Sequence, residues 1–236
     1  MKQAVILAGG KGTRLKDRLN GLPKPMIDVF GIPLIERQIL LLKKYNFTDI
    51  LILVSYESQK IIDFCNDNKH WGLKIKCIED TIPLGTAGAT INVMEMLNDE
   101  FLIIYGDTML DIDLDRFYSF HKKDSTTAVS LFLHPNDHPH DSDLVEINED
   151  NNVICFHPYP HDKSKFYSNL VNAALYWVNK YCLENWQHKV SYLDFGKDIF
   201  PKMLEMNYKI RGYRSNEYIK DCGTPYRIDK VNSDYK

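Results

Sequence analysis

Ala4-Val5-Ile6-Leu7-Ala8-Gly9-Gly10-Lys11-Gly12-Thr13-Arg14-Leu15 passes from a short apolar run straight into three glycines flanked by cations. That order reads as a β-strand delivering a glycine loop to an anion. Glycine keeps no side chain between backbone and ligand and tolerates positive φ, so Gly9, Gly10 and Gly12 let successive N–H groups face phosphate oxygens. Lys11, Arg14, Lys16, Arg18 and Lys24 surround the loop, and Asp17 is the one acid among them. The whole chain has a formal charge of -3, so this basic cluster is a local feature and points to a polyphosphate ligand.

Two other phosphate loops are excluded by spacing. A Walker loop needs Gly-Lys-Ser/Thr after a four-residue spacer, and the triplet is absent from the sequence. The dinucleotide fingerprint needs a third glycine where Leu15 stands. A kinase, a GTPase or an ordinary dehydrogenase is therefore disfavoured.

Beyond the loop, apolar runs alternate with helical patterns. Ala4 to Leu7, Ile50 to Val54, Leu73 to Ile78 and Phe101 to Tyr105 read as strands; Pro33 to Tyr45, Ser58 to Asn66 and Ala87 to Leu97 read as helices. The rhythm predicts an α/β fold, a Rossmann-like and mostly parallel sheet with helices on both faces. With 236 residues, 44% hydrophobic and 26% charged, and with no Gly/Ser or Pro-rich linker, one domain over 1–236 is expected. No apolar run approaches the ~20 residues that span a bilayer, and Lys2 leads directly into a strand rather than a leader segment, so a cytoplasmic protein without membrane or nucleic-acid partners is expected. Cys65, Cys77, Cys155, Cys182 and Cys222 are odd in number and lack a Cys-x-x-Cys pair, which predicts reduced thiols.

In open sheets of this kind ligands gather at the carboxyl ends of strands, where both the glycine loop and Gly106-Asp107 fall. Asp107 beside bound phosphates calls for a cation between them. Magnesium suits, since it takes a couple of carboxylates and fills its shell with phosphate oxygens and water. The second carboxylate is read as Asp221, which follows the strand-like Asn216 to Ile219 and precedes a Gly-Thr-Pro turn opening a helix at about 224–236; a helix N-cap is its other reading. Lys24, held between Pro23 and Pro25, is either a phosphate ligand or an exposed turn residue.

Leu7-Ala8-Gly9-Gly10 through Arg14-Leu15, then Pro23-Lys24-Pro25, Pro83-Leu84-Gly85-Thr86-Ala87-Gly88-Ala89, Tyr105-Gly106-Asp107, Asn172 and Asp221-Cys222-Gly223-Thr224-Pro225, together resemble the sugar-1-phosphate nucleotidylyltransferases, with the motifs in family order along nearly the whole chain. The resemblance implies a GT-A-like fold with a nucleotide-binding part at about 1–110 and a sugar-binding part at about 111–225. It implies a reaction in which a sugar 1-phosphate oxygen attacks the α-phosphate of a nucleoside triphosphate and pyrophosphate leaves. Arg14 and Lys24 are then catalytic. Leu7, Ala8, Gly9, Gly10, Gly12, Thr13, Pro83, Gly85 and Thr86 hold the nucleotide. Lys24, Gly106, Asp143, Asn172, His157 and Lys197 hold the sugar phosphate, and Asp107 and Asp221 bind Mg2+. On its own, Gly85 to Ala89 reads equally as a helix packed closely through small residues.

The middle of the chain departs from the family pattern. Where many members have Glu-Lys-Pro, Val153 to Phe156 leads into His157-Pro158-Tyr159-Pro160-His161, so His157, His161, Lys163 or Lys165 is left to replace the second phosphate-binding lysine. His138 to Glu146 resembles the same region of D-glycero-D-manno-heptose 1-phosphate guanylyltransferases, including the type fused to a phosphatase. That implies GTP and a heptose phosphate, with a product used for surface polysaccharide in bacteria; a phosphatase domain is not expected within these 236 residues. UTP, CTP or dTTP with mannose, glucose or N-acetylglucosamine phosphate are the alternatives, and a nucleotide-sugar sensor without turnover is another. A transition-metal site among His134, His138, His140, His157 and His161 lacks an organising spacing. The family's Asn-Ala-Gly is here Asn172-Ala173-Ala174, and Asp194 is read chiefly as a cap. Tyr176, Trp177, Tyr181 and Trp186 serve a homodimer contact as well as a core, so the oligomeric state stays open.

Overall fold

The structure is a computed structural model and describes residues 1–10, 12–67, 71–162, 164–187 and 191–234, with only the backbone of residues 16 and 17. The first elements are β1 (Lys2–Leu7), α1 (Lys16–Leu19), β2 (Asp28–Val29), β3 (Ile32–Pro33), α2 (Leu34–Lys44), β4 (Phe47–Val54), α3 (Ser58–Asp67) and β5 (Lys74–Glu79). There follow α4 (Gly85–Asn92), β6 (Glu100–Tyr105), β7 (Thr108–Asp111), α5 (Leu114–Lys122), β8 (Thr127–His134), β9 (Leu144–Ile147) and β10 (Val153–His157). The chain closes with β11 (Val171–Asn179), α6 (Phe200–Glu205), β12 (Lys209–Arg214), β13 (Tyr218–Asp221) and α7 (Pro225–Asp234). Two compact units divide these elements: residues 1–83, 103–112 and 218–236 form the first, residues 84–102 and 113–217 the second. Among the described residues no helix is long and apolar enough to cross a membrane.

In the first unit β1 pairs parallel with β4, and β4 parallel with β5. Ile50 to Val54 are all buried, as expected where a parallel strand is covered on both faces and its sequence therefore reads as an unbroken apolar run. Register is fixed partly by a polar pair: Gln3 faces Asp49, and its buried Nε2 donates to Asp49 Oδ2 at 2.8 Å. β7 and β13 form an antiparallel ribbon in which Asp221 faces Thr108. Leu15, Met109, Cys222, Ile228 and Val231 belong to one buried cluster, so the end of the glycine loop, the ribbon and α7 share a foundation.

The second unit holds the sheet order β10-β9-β11-β8-β12, antiparallel except for the parallel β8·β12 pair. Tyr176 and Trp177 are each 1% exposed; they are core residues, whereas Tyr181 is exposed. Tyr176, Phe195 and Phe200 pack as an aromatic group, with Phe200 edge-on to Tyr176 at 4.9 Å. The helix expected over 87–97 is shorter and begins earlier: α4 ends at Asn92, and a 3-10 turn follows. There Met96 N–H donates to Val93 O at 2.8 Å and Leu97 N–H to Met94 O at 3.2 Å, a tighter winding that leaves the apolar periodicity close to helical.

His121 is 2% exposed, with Nδ1 2.8 Å from Ser130 Oγ and Nε2 3.2 Å from Asn179 Nδ2. Burial pulls its pKa down to about 4, against about 6.5 in an unfolded chain. The unfolded state therefore takes up the proton first: the stabilisation is complete above pH ~6.5 and is lost as the pH falls toward 4. Urea titrations at pH 7 and 4.5 are expected to show a loss of about 3 kcal/mol attributable to this group, at ~1.4 kcal/mol per unit, and His121→Gln is expected to remove that share of the slope.

Candidate active site

The glycine loop leaves β1 under tight backbone control. Ala8 N–H donates to Leu53 O at 2.8 Å and Gly106 N–H to Leu7 O at 2.9 Å, joining the ends of β1 and β6. A Cβ on Gly106 would stand 3.0 Å from Leu7 O and 3.1 Å from Pro25 Cγ, so glycine is what permits this approach. Gly12 sits at φ +59, where a Cβ would meet Leu19 Cδ1 at 2.9 Å. The chain then enters a 3-10 turn, Thr13–Leu15, from which Arg14 is exposed. Lys11 lies outside the described residues.

Lys24 is 8% exposed, which overturns its reading as an exposed turn residue. Pro23 (φ -68, ψ 149) leads into the 3-10 turn Lys24–Met26, and the rigid entry sends the side chain inward. Its Nζ forms an ion pair with Asp107 Oδ2 and lies 3.5 Å from Asp221 Oδ1. Asp107 occupies the turn between β6 and β7, and Gln38, buried on α2, staples that turn by donating to Tyr105 O (2.9 Å) and Thr108 O (2.7 Å). Cys222 N–H donates to Asp107 O at 2.7 Å, which locks the two aspartate-bearing segments together.

Asp221 is not the cap of α7. Thr224 takes that role, its Oγ1 accepting from Arg227 N–H at 3.3 Å. The Asp221 carboxylate instead receives the Arg227 guanidinium at Oδ2, while Oδ1 is buried with no hydrogen bond. Behind the pair the Cys222 thiol is raised to about 12, by burial first and then by the Asp221 and Asp107 charges, so it stays protonated and is no nucleophile.

The first unit thus gathers two carboxylates and two cations, Lys24 and Arg227, at the foot of the glycine loop. A carboxylate oxygen buried without a hydrogen bond, beside a lysine that also holds a second carboxylate, is a donor set that a hard cation fits. Among the described residues no group of three or more His, Cys, Asp or Glu gathers to hold a metal, so a cation here would complete its shell with phosphate oxygens and water. Gly223 keeps this geometry open: a Cβ there would fall 2.6 Å from Asp221 Oδ1. Gly223→Ala is expected to displace the carboxylate and lower kcat/KM by about 10- to 100-fold, the scale of disturbing a ligand's support, with a melting temperature close to wild type.

In the second unit Asp194 is the cap expected of it, Oδ1 accepting from Gly196 N–H at 2.9 Å and Lys197 N–H at 3.1 Å. Thr86 Oγ1 donates to Asp194 Oδ2 at 2.9 Å and accepts from Phe195 N–H at 3.0 Å, so this hydroxyl ties α4 to the capped turn. Gly85 (φ +71) and Gly88 each leave only 2.4 Å between a would-be Cβ and a carbonyl, of Leu193 and Ser191 respectively. The close-packing reading of Gly85 to Ala89 therefore holds for this unit. Pro83, in the first unit, is exposed.

Asp143, Asn172 and the Gly196-Lys197 turn come together: Asn172 N–H donates to Asp143 O at 3.3 Å, and a Cβ on Gly196 would lie 3.6 Å from Asn172 Nδ2. Ala174 has φ 57, a left-handed position that favours glycine, at a register break between β11 and β8 and with its N–H on Asn172 Oδ1 at 3.3 Å. His157 has its Nε2 3.0 Å from Glu146 Oε2 and its ring 4.7 Å from that of Tyr167. His161 also packs on Tyr167, at 5.3 Å, and Lys165 Nζ lies 3.9 Å from Asp162. Lys163 is outside the described residues.

Arg227 and Gln38 were not singled out from the sequence, and Gly223 was quoted there only as part of a motif, without a role of its own. Arg227 had a usable signal, an arginine three residues past a helix-capping threonine and six past the aspartate, where one helical turn returns it to the carboxylate.

Residues 3–236 match the nucleotidyl transferase family. The D-glycero-alpha-D-manno-heptose 1-phosphate guanylyltransferase of Campylobacter jejuni is 30% identical over 94% of this chain and 95% of its own length. The bifunctional protein GlmU of Methanocaldococcus jannaschii is 29% identical over 99% of this chain and 56% of its own length; the chain spans about half of that relative. Among solved structures, HddC from Yersinia pseudotuberculosis complexed with GMP-PN superposes with a TM-score of 0.83 at 26% identity, covering 100% of both chains.

Proposed function

The chain belongs to the nucleotidyl transferase family, and from that premise we propose that it transfers a nucleotidyl group from a nucleoside triphosphate to a sugar 1-phosphate, with release of pyrophosphate. The observation that carries this reading is the Lys24, Asp107, Asp221 and Arg227 cluster built under the glycine loop. Asp107 and Asp221 would hold Mg2+, which when bound supplies positive charge to phosphate oxygens. The backbone amides of Gly9, Gly10 and Gly12 favour the triphosphate. Arg14, exposed on the turn that follows, offers a planar fork that grips two phosphate oxygens and stays charged. Lys24 supplies a point charge to the phosphate of the sugar substrate. These groups hold two mutually repelling anions in line, and the reaction needs no covalent bond to the protein. Asp143, Asn172 and Lys197 are the proposed sugar contacts.

Within this reaction we favour GTP and D-glycero-α-D-manno-heptose 1-phosphate. Support comes from the Campylobacter relative, which matches over nearly its whole length, and from the HddC structure holding GMP-PN. The test is pyrophosphate release from GTP, UTP, CTP, dTTP and ATP with magnesium, against heptose, mannose, glucose and N-acetylglucosamine 1-phosphates. Turnover with GTP and the heptose phosphate is expected. Turnover with another pair would keep the reaction and replace the substrates, and binding of a finished nucleotide sugar without release from any pair would replace the enzyme by a sensor.

A further inference from the structure

We infer that Arg227 is a positioning residue for the Asp221 carboxylate, gripping Oδ2 so that Oδ1 stays turned toward Lys24, the partner of Asp107, for a divalent cation. The inference rests on the proposed role of Asp221 as a cation ligand.

The arginine is held from two sides. Its backbone N–H is bonded to the capping Thr224 Oγ1 at 3.3 Å, which fixes its place in the first turn of α7. Its side chain is only 14% exposed, against 40% for Asp221. An arginine this enclosed keeps one geometry, and its planar fork directs the bond it makes. Gly223, by contrast, leaves the carboxylate room, since a Cβ there would reach 2.6 Å from Oδ1 and 3.0 Å from Oδ2, so the guanidinium is what sets its direction.

With Oδ2 taken by Arg227, Oδ1 remains buried without a hydrogen bond, 3.5 Å from Lys24 Nζ. An oxygen left so is costly unless a cation completes it. Without the guanidinium, the carboxylate is free to turn and close fully on Lys24, and the gap that a cation needs is lost. Partners that orient a ligating carboxylate are typically worth about 10- to 100-fold in metal affinity.

The test is direct Mn2+ binding to the full chain without nucleotide, read from the electron paramagnetic resonance signal of free Mn2+, together with a metal-free melting curve. Arg227→Met is expected to weaken Mn2+ binding by about 10- to 100-fold, and Arg227→Lys, which keeps the charge and one donor direction, to lose less. Binding by Arg227→Met as tight as wild type, or tighter, overturns the inference. If Arg227→Met does not fold, Arg227→Gln takes its place under the same criterion. Asp221→Asn separates the two levels: Mn2+ binding that survives it overturns the ligand assignment itself, whereas binding lost in Asp221→Asn and kept in Arg227→Met overturns the positioning role alone.

Discussion

Asp107→Asn is expected to reduce kcat/KM by a thousandfold or more, about 4 kcal/mol of transition-state stabilisation, while the protein remains folded. The substitution removes one of the two carboxylates that meet Lys24 and leaves a neutral amide in contact with it. Loss of the charge weakens cation binding, and it also changes what holds Lys24, which then has Asp221 as its remaining carboxylate partner at this site. Folding is protected because the turn is held through backbone groups: Gln38 bonds the carbonyls on either side, and the Asp107 carbonyl accepts from Cys222. Steady-state kinetics at several magnesium concentrations, with a melting curve, checks both halves. A rate within tenfold of wild type at saturating magnesium would remove Asp107 from the machinery.

The largest stability effect is expected at Gly85→Ala. The residue has φ +71, which costs an L side chain about 1–2 kcal/mol, and the new Cβ would stand 2.4 Å from Leu193 O. That carbonyl cannot move away cheaply, since it accepts from Ala87 N–H at 2.9 Å and Gly88 N–H at 3.2 Å at the start of α4. Strain and overpacking together give about 3 kcal/mol, or roughly 10 °C in melting temperature for a chain of this size. Gly10→Ala is the control, because a Cβ there meets nothing within 4 Å. Equal melting temperatures for the two variants would refute the argument.

What was legible in the sequence is what local chemistry dictates. The apolar run into Gly9-Gly10 announced a strand and a phosphate loop, and Asp107 was readable because a carboxylate after a buried strand has few other reasons to be there. Asp194 was readable as a cap from its place before a helical segment. Lys24 was ambiguous, since only the fold shows that its turn points inward onto two aspartates. Asp221 was readable as a carboxylate ligand with a helix cap as its other reading, and Thr224 takes the capping role. Tyr176 and Trp177 could not be divided between core and interface from composition alone; burial decides for the core. The histidines of the middle segment were read as candidates for the second phosphate contact, and the sequence could not show that His157 also meets Glu146 and Tyr167, partners whose positions depend on strand pairing between β9 and β10.

The first unit is made from three stretches of chain, residues 1–83, 103–112 and 218–236, and this has a consequence for the protein as it is synthesised. Lys24 emerges early and Asp107 follows 83 residues later, but Asp221 and Arg227 belong to the last stretch. A nascent chain halted before residue 218 lacks β13 and α7, and with them the buried contacts of Cys222, Ile228 and Val231. The second unit is by then fully translated, whereas the first has an exposed apolar floor and an unmatched Asp107 turn. Closure of such distant segments is slow relative to local folding, so the charge cluster is completed only after residues 218–236 have been made, long after the rest of the first unit.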